Sequence, residues 1–120
     1  MTAADKVFEA EARDAIGKPV FTVDGNRLRF VHHPDDRFDA VMTLIGAATD
    51  SVRAFWYMVN DDESGQAFVD ALCAAARRGV RVSLGIDSFG SDDTPIEFFD
   101  PLKECGVEFF CFSSRANSCL

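Results

Sequence analysis

The chain has 120 residues and a mass of 13.2 kDa, the size of one domain, which leaves no room for separate catalytic and regulatory domains. Apolar residues make up 48% of the sequence and charged residues 27%, a composition typical of a folded globular protein and not of a disordered one. Twelve basic residues against twenty acidic ones give a net charge of −8, so binding to nucleic acid through its phosphates is disfavoured. No apolar run approaches the roughly 18 residues that a membrane-spanning helix needs, so no transmembrane segment is expected.

The first part of the sequence predicts one helix and two short strands. Residues 3–16 carry a thin apolar stripe at helical spacing, so residues 1–19 are expected to form an N-terminal helical extension. Residues 20–23 and 28–32 favour strands, and the Asp-Gly-Asn sequence at 24–26 favours a turn between them.

From residue 34 onward, apolar residues recur alternately at helical and at strand spacing. The expected elements are a helix from Pro34 to Asp50, a strand over 52–59, a helix that Ser64 caps and Gly79 ends, a strand over 80–86, a helix over 95–105 that Pro101 kinks or splits and Gly106 ends, and a strand over 107–112. Strands and helices that alternate through short connections form right-handed parallel crossovers. The sequence therefore predicts an α/β fold, a mainly parallel open sheet with helices on both faces.

Polar residues follow the expected strands, and ligands of parallel α/β sheets bind outside the carboxyl ends of the strands. The candidate ligand-edge residues are His32, Asn60, Asp61, Asp87, Ser88 and Arg115. Asp87 is the strongest candidate, because it ends an apolar strand and enters a loop of glycine and serine; its carboxylate either meets a ligand or closes an Asx turn. No phosphate-binding glycine motif and no catalytic serine motif occurs in the sequence, so we assign no catalytic residue, no metal site and no cofactor.

The cysteines are Cys73, Cys105, Cys111 and Cys119. None forms a CxxC pair, and the histidines lie far away in sequence, so the spacing of a zinc site is absent. We expect small buried thiols in a reducing compartment, and therefore a cytoplasmic protein.

Several segments resemble the opening of a phospholipase D superfamily domain, in particular of the bacterial cardiolipin synthase type. They are GNRL at 25–28, VRAFWY at 52–57 with Asp61 and Asp62 after it, ALCAAARRGVRV at 71–82, Asp87 with Gly90-Ser91, and LKECGVEF at 102–109. The resemblance extends over residues 25–115. It implies that residues 20–115 form an incomplete phospholipase D-like half-domain, followed by a tail at 116–120.

In this family two similar α/β halves each supply an HxKxxxxD motif to one shared site. One histidine attacks the phosphodiester to form a phosphohistidine, the other protonates the leaving alcohol, and no metal is required. The motif does not occur in the 120 residues, so no catalytic residue is carried over. The resemblance thus implies an N-terminal fragment of an enzyme that acts on phospholipid phosphodiesters, truncated before the motif and inactive by itself.

Further expectations and two alternatives accompany this interpretation. The family implies a phospholipid substrate and peripheral contact with a membrane, and an exposed strand at 107–112 would favour self-association through the sheet edge. The first alternative is a receiver- or flavodoxin-like binding module, without catalytic activity, that has an acidic pocket around Asp61, Asp62 and Asp87. The second is a nuclease fragment of the same superfamily, against which the negative charge argues.

Overall fold

The computed structural model describes residues 10–13 and 19–113, which belong to two units, Met1–Val41 and Met42–Leu120. In the first unit, strands β1 (Ala10–Arg13), β2 (Pro19–Val23) and β3 (Asn26–Leu28) form an antiparallel sheet in the order β1-β2-β3. Helix α1 (Pro34–Ala47) begins in this unit and ends in the second.

A tight turn joins β2 to β3. Asp24 and Gly25 both have positive φ angles, 48° and 79°, and Val23 pairs with Asn26, which is the geometry of a two-residue type I′ hairpin. The Asn26 side chain stabilises the turn by donating to the carbonyl groups of Val23 and Asp24, both at 3.3 Å. The turn predicted at 24–26 is therefore confirmed.

Two predictions for this unit are wrong. Where the sequence predicts a helix over 3–16, the structure has a strand at Ala10–Arg13 that pairs with β2. Residues 3–9 and 14–16 of the predicted helix lie outside the described residues. A thin apolar stripe gives a helix little to bury, so sheet pairing prevails. The predicted strand at 28–32 ends at Leu28 and is antiparallel, because the two-residue turn returns the chain directly alongside β2.

The second unit contains the parallel sheet that the sequence predicts. Strands β4 (Ser51–Trp56), β5 (Arg81–Asp87) and β6 (Glu108–Phe112) lie side by side in the order β4-β5-β6, and both pairings are parallel. Helix α2 (Glu63–Arg77) connects β4 to β5; a 3₁₀ helix (Ile96–Phe99) and helix α3 (Asp100–Glu104) connect β5 to β6. The α/β fold is confirmed.

One face of this sheet forms the core with these helices. Val82, Leu84 and Ile86 of β5 are buried on that face. On either side of them, Trp56 packs on Phe68 of α2 with ring centroids 5.2 Å apart, and Phe109 stacks on Phe99 of the 3₁₀ helix at 4.9 Å. The apolar burial of β5 and the aromatic pairs together hold the helices on the sheet.

The predicted ends of the connecting helices are confirmed at Gly79, Pro101 and Gly106, whereas the predicted N-cap of α2 is wrong. Gly79 and Gly106 adopt φ angles of 90° and 88° and end their helices as predicted. Pro101 lies in the first turn of α3, and the predicted helix over 95–105 is split there into a 3₁₀ and an α segment, as predicted. The N-cap of α2 is Asp62 rather than Ser64, because the Asp62 carboxylate accepts the backbone N–H of Gly65 at 2.8 Å.

Arg78 also has a different role from the one its position suggests. It follows α2, where it would favour the end of its own helix, but its guanidinium donates to the carbonyl groups of Ile45, Gly46 and Ala48 at 3.0–3.3 Å. It thus satisfies the unpaired carbonyl groups at the end of α1.

The prediction of free thiols is wrong for the described cysteines. Cys73 of α2 and Cys105 after α3 form a disulfide, with Cα atoms 5.5 Å apart, and Cys111 is also disulfide-bonded. Sequence spacing could not show this, because 32 residues separate Cys73 from Cys105 and only the packing of α2 against α3 brings them together. Within residues 10–13 and 19–113, no helix has the length and apolar character required to cross a membrane.

Candidate functional site

The candidate site lies at the carboxyl edge of the parallel sheet. Trp56, Ile86 and Cys111 form one row across the strands, and Asp87 pairs with Phe112 in the next row. The loops that follow β4 and β5 therefore leave the sheet at the same edge. We call residues 57–62 and 88–95 the two edge loops.

Hydrogen bonds join the two edge loops. Val59 donates its backbone N–H to Ser91 Oγ at 3.2 Å, and Thr94 Oγ1 donates to the Val59 carbonyl at 2.7 Å. The Ser91 hydroxyl lies 3.4 Å from the Tyr57 carbonyl, to which it donates. Both hydroxyl side chains are buried, and so is Val59, whose N–H and carbonyl they satisfy. These bonds turn the backbone after Trp56, which explains why the strand predicted over 52–59 ends there.

Gly90 permits the close approach of the loops. A Cβ atom at this position would overlap the Tyr57 carbonyl oxygen and would lie 2.8 Å from the carbonyl carbon. Any larger residue must therefore push the loops apart. The sequence places Ser91 in the resemblance only beside Gly90 and does not indicate the bridging role of Ser91 or Thr94, because small hydroxyl residues in a glycine-containing loop also fit an exposed turn.

Asp87 organises the start of the second edge loop. Its Oδ1 accepts the backbone N–H groups of Phe89 and Gly90 at 2.9 and 3.2 Å, and its carbonyl accepts that of Ser91 at 3.0 Å. Ser88 donates its backbone N–H to the Phe112 carbonyl at 2.8 Å, which holds this loop beside the end of β6. Of the two alternatives for Asp87, the Asx turn is present; contact with a ligand stays a prediction.

The candidates in the first edge loop are exposed. The Asn60 amide contacts Met58 Sδ at 3.6 Å, and Asp61 precedes the capping residue Asp62. The Asn60 carbonyl lies so close to Gly65 that a Cβ there would overlap it, which fixes the loop against the start of α2. The side chains of Asn60 and Asp61 thus face solvent from a loop whose backbone is held in place.

One predicted candidate does not follow a strand of the parallel sheet, and another lies outside the described residues. His32 is exposed in the first unit, between β3 and α1, so the expectation that it ends a strand of the parallel sheet is wrong. The reason is the tight hairpin, which pairs β3 with β2. Arg115 lies outside the described residues.

The edge combines polar side chains with an apolar surface. Its candidate side chains supply carboxylate, amide and hydroxyl oxygens, and an open apolar depression of about 340 Å³ beside them is lined by Phe55, Trp56, Tyr57 and Met58. In the described part of the chain, no three or more His, Cys, Asp and Glu side chains come together as a metal site would require. The arrangement can present polar groups and an apolar surface to a ligand.

Comparisons with known proteins identify relatives of the chain. It is 30% identical over 92 residues, 77% of its length, to cardiolipin synthase B of Escherichia coli strain K12. It is also 30% identical over 96 residues, 80% of its length, to cardiolipin synthase A of Pseudomonas aeruginosa strain LESB58, and 26% identical over 92 residues to cardiolipin synthase A of Pseudomonas fluorescens. The chain is a homologue of the cardiolipin synthases, which are members of the phospholipase D superfamily.

The resemblance drawn from the sequence segments is thus confirmed, and a phospholipase D-like half-domain is compatible with the α/β fold of this cardiolipin synthase homologue. The chain spans about a fifth of the length of these relatives, 22% of the Escherichia coli protein and 20% of that from Pseudomonas aeruginosa. No protein-family model matches the chain, and no solved structure matches it significantly.

Proposed function

We propose that this chain is part of a phospholipase D-like enzyme that acts on phospholipid phosphodiesters, by transphosphatidylation or hydrolysis through a phosphohistidine. The observation that carries the proposal is the identity of about 30% to cardiolipin synthases over 77–80% of the chain. Residues 20–115 would then be a half-domain scaffold whose carboxyl edge lies beside the phosphate chemistry. The scaffold itself supplies no catalytic histidine, because HxKxxxxD is absent from the sequence.

The edge loops support a role beside a lipid substrate. Tyr57 and Met58 are exposed in the first edge loop, and Phe89 is 79% exposed in the second. Tyr57 combines an apolar ring with a polar hydroxyl, which favours the boundary between water and lipid, and Met58 and Phe89 add apolar surface beside it. With a net charge of −8, contact with a membrane surface would depend on these apolar side chains rather than on attraction to anionic headgroups.

A chimera tests the proposal. The matching 92-residue stretch of Escherichia coli cardiolipin synthase B is replaced with that of this chain, and cardiolipin formation is measured in phospholipid vesicles. We expect activity clearly above that of a matched chimera carrying Leu84→Asp, which places a charge in the buried core of the sheet. A chimera that folds but forms no cardiolipin would contradict the proposal.

The isolated chain provides the complementary measurement. We expect the purified 120 residues to hydrolyse or transfer no phosphodiester, because neither the nucleophile nor the acid of the family motif is present. Measurable turnover, proportional to protein concentration and lost in the Leu84→Asp variant, would show that other residues carry the chemistry.

No specific observation favours the receiver-like alternative. Its acidic pocket needs Asp61, Asp62 and Asp87, but Asp62 caps α2 and Asp87 closes the Asx turn. A magnesium titration followed by the fluorescence of Trp56 distinguishes the two functions, since saturable binding would favour the module. The nuclease alternative is tested by replacing the vesicles with DNA in the chimera assay.

A further inference from the structure

The described cysteines of the second unit are all oxidised, and one of the bonds joins two segments of its core. Cys73 of α2 and Cys105 after α3 have Cα atoms 5.5 Å apart, within the range of about 4.4–6.8 Å that a disulfide requires. Cys111 is also disulfide-bonded. Because these cysteines are bonded, the stability of the unit depends on the redox state of its surroundings.

The bond between Cys73 and Cys105 holds a helical segment that is too short to be stable by itself. The 3₁₀ helix (Ile96–Phe99) and α3 (Asp100–Glu104) have four and five residues, and neither has a side chain that caps its first turn. Helices this short form only where packing holds them. Phe99 and Leu102 of this segment are among the most deeply buried side chains of the unit. The disulfide ties the segment to α2 and thereby secures part of the core.

The small size of the second unit makes this bond a large part of its stability. In a unit of roughly 80 residues, the core alone is expected to favour the folded state only on the order of 10²–10⁴-fold. The bond closes a loop of 32 residues, and the chain-entropy relation gives it a further factor of about 500. Reduction should therefore raise the unfolded population about 500-fold, and this is the population on which proteases act.

We propose that the disulfide between Cys73 and Cys105 is a redox-sensitive device that sets how long the folded chain persists. In oxidising surroundings the bond forms and the second unit resists proteolysis; in reducing surroundings the bond is lost and proteases remove the chain. The device acts on lifetime and not on the shape of the edge loops, because Cys105 shortly precedes Glu108, where pairing with β5 already fixes the backbone. It does not depend on the phospholipid chemistry proposed above.

Thiol–disulfide exchange with a cellular dithiol supplies the reducing step. Cys73 is 4% exposed and Cys105 is half-buried, so Cys105 Sγ is the sulfur atom that an attacking thiolate reaches. The first thiolate of the dithiol bonds to Cys105 Sγ, the bond between the two cysteines breaks, and Cys73 leaves as a thiolate that takes up a proton. The second thiol of the dithiol then displaces Cys105, so the protein gains two electrons and two protons and the dithiol becomes a disulfide.

Expression of the full chain in two bacterial hosts tests the proposal. One host has the ordinary reducing cytoplasm; in the other both thiol-reducing pathways are disabled, so the proteases stay the same and the redox state changes. In the oxidising host we expect the half-life of the wild-type chain after arrest of translation to be at least about tenfold longer. The matched variant Cys73→Ala/Cys105→Ala lacks this bond in both hosts, so its two half-lives should agree within about twofold. Peptide mapping after alkylation of free thiols reports the bonding of both cysteines.

Three results would overturn the proposal. They are bonding of Cys73 and Cys105 that does not differ between the hosts, a wild-type half-life that stays the same although the bonding differs, and a variant whose half-life lengthens as much as that of the wild type. Should the variant fail to accumulate, the purified Cys111→Ala chain decides, because it retains this pair and lacks the other described bond. Its cleavage by a protease of broad specificity should accelerate at least about tenfold in dithiothreitol, and an unchanged rate would likewise overturn the proposal.

Discussion

The disulfide between Cys73 and Cys105 should contribute a large part of the stability of the second unit. It closes a loop of 32 residues that contains β5, the second edge loop and the 3₁₀ helix. By the chain-entropy relation, such a cross-link lowers the entropy of the unfolded chain by about 12 cal/mol/K, equivalent to about 3.7 kcal/mol at 25 °C. For a chain of this length, that free energy corresponds to a melting temperature higher by about 15 °C.

The variant Cys105→Ala breaks the bond and keeps the buried Cys73 in the core. Urea unfolding followed by the fluorescence of Trp56, the single tryptophan, gives the free energy of unfolding of both proteins. Without reductant we expect the variant to be less stable by about 3–4 kcal/mol. With excess reductant, both proteins lack the cross-link and should agree within about 0.5 kcal/mol.

The reductant comparison separates the cross-link from side-chain packing. A difference that persists in reductant would come from contacts of the Cys105 side chain and not from the bond. A difference below about 1 kcal/mol without reductant, together with thiol labelling that maps to both Cys73 and Cys105 in the unfolded wild-type chain, would show that these two residues are unbonded. The interpretation of Cys73 and Cys105 as buried thiols would then be correct.

Three further variants test local features by the same unfolding measurement. Asp62→Ala should lower the free energy of unfolding by about 1 kcal/mol through loss of the α2 N-cap, whereas Ser64→Ala should change it by less than about 0.5 kcal/mol. A larger loss for Ser64→Ala than for Asp62→Ala would show that Ser64 is the N-cap. Arg78→Ala should cost about 1–2 kcal/mol because three carbonyl groups at the end of α1 lose their donor, and its exposed neighbour variant Arg77→Ala should be nearly neutral; equal effects would refute the capping role. Gly90→Ala should cost about 2–4 kcal/mol, since its Cβ overlaps a carbonyl group of the other edge loop, and a neutral result would mean that the loops separate freely.

The sequence alone predicts the second unit well. Alternating apolar patterns placed β5 and β6 within one residue of their observed starts, and the left-handed glycines Gly79 and Gly106 marked where the helices before them end. Pro101 also indicates the break between the two helical segments. These features depend on local conformation and on burial along a single element, which a sequence pattern carries directly.

The remaining features depend on contacts between distant residues. The strand at Ala10–Arg13 exists because β2 offers it a pairing partner, and no periodicity within residues 3–16 indicates that partner. The cap at Asp62 rather than Ser64 depends on which residue precedes the first helical turn, a boundary that patterns locate poorly. The sequence correctly predicts Asp87 at the end of a strand. Whether its carboxylate closes an Asx turn depends on hydrogen bonds to the following backbone, which a sequence pattern does not show.

The hydrogen bonds that the Ser91 and Thr94 hydroxyl groups make to the backbone of the first edge loop couple the two edge loops, so that they move together. Asn60 lies in the first edge loop and Asp87 begins the second, and the hydrogen bonds of Ser91 and Thr94 link the two loops. A substitution at either residue can therefore shift the backbone that positions the other. The effects of substitutions in the two loops on the binding free energy of a ligand should therefore be non-additive. Varying one loop at a time would not reveal such coupled combinations. Libraries that vary residues 57–62 and 88–95 jointly, with both hydroxyls retained, are the appropriate way to redesign this edge.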